Sequence, residues 1–157
     1  MRFTEPEPGL PTDSDIDLEI PSQRTETHWP VIGAISAGGV LGALARYGIS
    51  QAWPTPTGGF PWATFVINVT GSLLIGALMV VVTDIFTRQR LLRPFLGVGV
   101  LGGYTTFSTY AVEIRNLIAA GAPGMAAFYL VTTLAAACVA VFVGMTAARA
   151  VTWLVTA

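Results

Sequence analysis

The residues able to do chemistry in this chain are neutral hydrogen-bond donors set in apolar surroundings. They come in three groups: Thr64, Asn68, Thr70 and Ser72; Thr105, Thr106, Ser108 and Thr109; and Tyr129, Thr132 and Thr133. Each offers an O–H or N–H, and none carries a charge. No Asp, Glu or His stands at the centre of an apolar run, where a proton-coupled carrier holds such groups. Cation pores show rings of carboxylates or carbonyls. A row of neutral donors suits a small anion that exchanges its water for protein N–H and O–H groups. Phe107 adds an aromatic edge, which is electropositive. No nucleophile–base pair, metal-ligand cluster or phosphate loop accompanies them, so the pattern is not that of an enzyme.

The material around these residues is that of a membrane. The chain has 157 residues, 53% hydrophobic and only 11% charged, with a mean hydropathy of +0.65. Soluble domains carry about 25% charged residues. Residues 1–30 hold seven of the nine acids against Arg2 and Arg24, a net of −5; the rest holds six Arg against Asp84 and Glu113, a net of +4. That basic balance is too small for a nucleic-acid partner. The lone Cys138 lies in an apolar run and reads as a small apolar residue. The acidic, Pro-rich start lacks the apolar stretch of a signal peptide, and residues 1–30 are expected to form a disordered tail.

Four hydrophobic segments follow, over about residues 31–53, 60–84, 94–120 and 125–153. The expected fold is an all-α integral membrane protein with four transmembrane helices in one channel-forming domain, 31–157. In the first segment, Gly33, Gly38, Gly39 and Gly42 repeat at spacings that let helix backbones approach closely. The third is longer than the roughly 30 Å hydrocarbon core requires, and Gly102-Gly103 with the hydroxyls after them predicts a break in its middle. Near the segment ends, Arg24, Arg88, Arg90, Arg93 and Arg149 fall on the side of both termini, and Arg46 and Arg115 on the other. This bias puts the termini in the cytoplasm.

Three motifs together resemble the CrcB/Fluc family of fluoride channels. They are Gly38-Gly39-Val40-Leu41-Gly42-Ala43-Leu44-Ala45-Arg46-Tyr47; Asn68-Val69-Thr70-Gly71-Ser72 with Gly76; and Gly102-Gly103-Tyr104-Thr105-Thr106-Phe107-Ser108-Thr109-Tyr110. They fall in the first, second and third segments, in family order, and the resemblance covers about residues 31–150.

The resemblance implies a plasma-membrane channel that exports fluoride passively through an antiparallel dimer, with two anion pathways along the interface. It implies a central structural sodium ion (Na+) held by backbone carbonyls, here those of Gly102 and Thr105. It assigns Asn68, Phe107, Ser108, Thr109, Tyr129 and Thr133 to the anion pathway and Arg46 to its aqueous vestibule. Tyr110 departs from the family pattern, which usually has a second Phe there; its added hydroxyl either bonds an ion or closes the pathway. Some members work as pairs of different subunits with fixed orientations. The five-to-two Arg bias, together with Tyr110, keeps open a heterodimer with a paralogous four-helix subunit beside the homodimer. A small coupled anion carrier is a more distant alternative.

Overall fold

The computed structural model describes residues 29–84 and 91–156; the predicted tail up to residue 28 and the loop 85–90, with Arg88 and Arg90, lie outside them. Among the described residues every regular element is helical. Helix α1 spans Trp29–Ala52 and α2 spans Trp62–Asp84. The third hydrophobic segment is divided: a π-helix, Pro94–Leu101, runs into a single α turn, α3, Gly102–Tyr104. After three non-helical residues α4 spans Ser108–Ala119. Helix α5, Pro123–Thr156, closes the chain with 34 residues.

The boundaries differ from the sequence reading at both ends. Trp29 and Pro30, assigned to the tail, open α1; proline suits a first turn because its missing N–H has no helical acceptor to lose. Pro123 likewise starts α5 two residues earlier than expected. Three helices, α1, α2 and α5, are long and apolar enough to cross a membrane. The third segment does not qualify as one span, because its helical pieces are each too short.

The interruption also lies later than the glycines that announce it. Gly102 is helical, at φ −64° and ψ −37°. The chain leaves the helix at Thr105, where ψ swings to 159°.

Packing is by backbone contact. Helix α1 lies along the π-helix and α3, while α2 lies along α5. A Cβ at Gly38 would collide with the Phe95 carbonyl, and one at Gly42 with the Val100 carbonyl. The α2–α5 seam is reciprocal: a Cβ on Gly76 would strike the Val141 carbonyl, and one on Gly144 the Leu73 carbonyl. Such contacts bring main chains together where apolar lipid gives helices no hydrophobic reason to associate. Gly144→Ala is expected to lower stability by about 1–3 kcal/mol through overpacking. A lower melting temperature in detergent checks it, and an unchanged one removes the seam.

Where α4 meets α5, buried Leu117, Ala126 and Tyr129 form a small core flanked by Phe60, Phe65, Tyr110 and Ile114. Leu117 stands near the end of α4, while Tyr110, on its first turn, packs against the same core just after the break.

Candidate functional site: a groove at the helix break

The break is held open by side chains that take over the work of the helix ladder. Asn68, on α2, faces Thr106 with both amide atoms: Nδ2 donates to the Thr106 carbonyl and Oδ1 accepts from the Thr106 N–H, each at 2.9 Å. In a continuous helix that N–H would serve the carbonyl of Gly102. Thr106 Oγ1 accepts from the Thr109 N–H at 3.2 Å, an amide that would otherwise serve the carbonyl of Thr105. The two carbonyls named in the sequence reading therefore lose their usual donors to side chains. Thr105 itself turns back, its N–H and Oγ1 both donating to the Leu101 carbonyl at 3.0 and 2.9 Å. Thr70 Oγ1 lies 2.9 Å from Tyr104 Oη and ties α2 to α3.

An open groove of about 530 Å³ runs beside this break. Its walls include Asn68, Ser72, Gly102, Thr105, Phe107, Tyr110 and Thr133. Thr133 is 4% exposed, and its hydroxyl is the buried side-chain polar atom without a hydrogen-bond partner among the described residues. A buried unpaired hydroxyl costs about 1–3 kcal/mol, so its place on a groove wall calls for a transient partner. Phe107 is 80% exposed, an apolar ring on the outside of a single chain. Exposed Ser108 and Thr109 follow it; Thr109 Oγ1 accepts from Thr106 Oγ1 at 3.0 Å.

The other predicted residues lie elsewhere. Tyr129 is fully buried, and it is Tyr110 and Thr133, not Tyr129, that reach the groove. The Tyr129 hydroxyl donates to Glu113 Oε2 at 2.7 Å, while Thr64 donates to Glu113 Oε1 at 2.8 Å. Arg46, half-exposed on α1, is not among the groove residues. The Tyr110 hydroxyl, for which the sequence left two roles open, donates to the Leu130 carbonyl at 2.7 Å.

Glu113 is the polar residue that sequence reasoning missed. Its position near the end of a segment marks it as a closing residue. In the fold it receives two hydroxyl donors and lines a second cavity of about 250 Å³ under the α1–α2 loop, with Thr55, Thr57 and Asn116. The available signal was spacing: Tyr110 and Glu113, at i and i+3, share a face of α4. Tyr110, on the groove, packs 5.1 Å from Tyr129, centroid to centroid, and Tyr129 in turn bonds to Glu113 at the second cavity.

The family model described as "CrcB-like protein, Camphor Resistance (CrcB)" matches residues 33–145, well over half of the chain. The chain belongs to the CrcB family. Among its relatives, a protein of Nocardia farcinica named fluoride-specific ion channel FluC 2 is 59% identical over 119 residues, covering 76% of this chain and 85% of the relative. A Streptomyces avermitilis FluC 2 is 48% identical over 136 residues, covering 84% and 85%. A Streptomyces coelicolor FluC 1 is 48% identical over 150 residues, covering 95% and 96%. Streptomyces avermitilis also has a relative named FluC 3. All three CrcB motifs and the groove lie within the matched stretch, which ends before the last turns of α5.

Proposed function

We propose that this CrcB-family chain is a subunit of a fluoride channel that lets the anion leave the cytoplasm down its gradient. The observation that carries the reading is the Thr133 hydroxyl, buried, unpartnered and on the wall of a groove of neutral donors. An anion passing there would give that hydroxyl its missing acceptor. Asn68 uses one hydrogen of Nδ2 on Thr106 and keeps a second for the ion. Phe107, Ser108 and Thr109 continue the route on the exposed side. Tyr129 takes part from behind the wall, through Tyr110 and Glu113. Arg46 draws anions toward the mouth by its charge. The relatives' shared name, fluoride-specific ion channel, agrees with this reading.

The working unit is an antiparallel dimer in the plasma membrane, its third segment crossing as a fourth, broken transmembrane helix. The exposure of Phe107, Ser108 and Thr109 supports a second subunit covering the groove. Sodium fits the freed carbonyls of Gly102 and Thr105, which are hard oxygen ligands for a hard cation. Two such carbonyls from each subunit supply four ligands. The bound ion would contribute fixed positive charge and hold the broken segments together.

A heterodimer is the second reading. The five-to-two Arg bias favours one fixed orientation, with the termini cytoplasmic. The FluC 2 and FluC 3 relatives of one organism show that a genome can hold two such chains.

Fluoride efflux from liposomes containing the purified chain tests the proposal. Robust chloride efflux overturns it, and fluoride efflux only with a co-expressed partner chain decides for the heterodimer. Phe107→Ile is expected to cut efflux by roughly tenfold, the loss of one aromatic-edge contact of about 1.4 kcal/mol. The dimer should survive the change in size-exclusion chromatography. Efflux at the parent rate would remove the aromatic edge from the route.

A further inference from the structure

A phenol on the wall of an anion route has two surfaces to offer, the edge of its ring and its hydroxyl. In Tyr110 the hydroxyl is already committed. It donates to the main-chain carbonyl of Leu130 at 2.7 Å, joining the first turn of α4 to α5. A carbonyl has two lone pairs, so Leu130 accepts this bond without giving up its place in the α5 ladder. The ring is held on two sides as well. Its centroid lies 5.1 Å from that of Tyr129, at 61°, and 5.9 Å from that of Phe107, at 50°. Tyr129 is itself fixed by its bond to Glu113. Turning the hydroxyl toward an ion would break this bond between two helices.

We propose, building on the channel reading above, that Tyr110 meets the anion with its ring alone and that its hydroxyl clamps α4 to α5. The ring is then part of the groove wall. The hydroxyl is a positioning group that fixes the ring's angle beside Phe107. A phenylalanine at this position keeps the first role and loses the second.

The experiment compares the full-length parent with Tyr110→Phe and Tyr110→Leu, by fluoride and chloride efflux from liposomes and by amide hydrogen exchange in detergent. Tyr110→Phe is expected to lose about threefold in fluoride efflux, with the same preference over chloride, because the ring stays on the wall while its angle is freed. Its amides at residues 111–114 should exchange about fivefold faster, the effect of one lost hydrogen bond. Tyr110→Leu should lose more than roughly tenfold in efflux, so that Phe rescues what Leu does not. A loss of that size in Tyr110→Phe makes the hydroxyl an ion ligand and overturns the proposal. Unchanged exchange in Tyr110→Phe removes the clamp, and parental efflux in Tyr110→Leu removes the ring from the wall. A parent that conducts no fluoride, by itself or with a co-expressed partner chain, defeats only the channel reading, while the exchange comparison still decides the clamp.

Discussion

Asn68→Asp is expected to abolish fluoride efflux, with a fall of at least about a hundredfold. Two effects act together. The amide makes two bonds to the backbone of Thr106, one as donor and one as acceptor. A carboxylate keeps the acceptor and turns a second oxygen toward the Thr106 carbonyl, replacing a bond by a repulsion. It also places negative charge on the groove wall, where Asn68 is half-buried. At ~4 Å, and with the effective dielectric of ~20 that suits such sites, two like charges repel by about 4 kcal/mol, close to three decades in rate. Circular dichroism and elution volume should show the variant folded and assembled. Efflux within about threefold of the parent would remove Asn68 from the ion's route.

Thr133→Val should produce two changes of opposite sign. Valine has nearly the shape of threonine without the hydroxyl. Removing a buried, unpartnered hydroxyl is expected to stabilise the protein by about 1–2 kcal/mol, read as a higher melting temperature in detergent. The same change takes a donor from the groove, and a hydrogen bond to a charged group is worth about 1.5–3 kcal/mol. Fluoride efflux should fall by roughly ten- to a hundredfold. A merely structural threonine would lose stability without that selective loss of efflux. Lower stability with unchanged efflux would give Thr133 a partner inside the protein and no role in conduction.

The sequence was most legible where side-chain type alone carried the signal. Long apolar runs mark helices, and α1, α2 and α5 stand within a few residues of their expected limits. Gly102-Gly103 and the hydroxyls after them pointed to a disturbed stretch, but the turning point is at Thr105–Phe107. Nothing in Pro94–Leu101 distinguishes a π-helix from an α-helix, because its apolar residues suit either winding. Bonds to the main chain were also hidden. Leu130 offers its carbonyl to Tyr110, and a carbonyl is common to every residue. Tyr129 and Thr133 share a helix face by their spacing, yet one ends behind Tyr110 and the other on the groove wall. That difference depends on α4, whose placement no local pattern in α5 records.

The length of α5 bears on how the protein meets its bilayer. At ~1.5 Å per residue its 34 residues extend ~51 Å, against a hydrocarbon thickness of ~30 Å. The surplus falls in its second half, where exposed Arg149 and Trp153 stand four residues apart on one face. Such a pair suits the headgroup layer, where a guanidinium meets phosphates and an indole meets the acyl boundary. Thr133, on the groove wall, lies in the opposite half. A thicker or thinner membrane would therefore shift the depth of the Arg149 end, while the donors that line the groove keep their spacing.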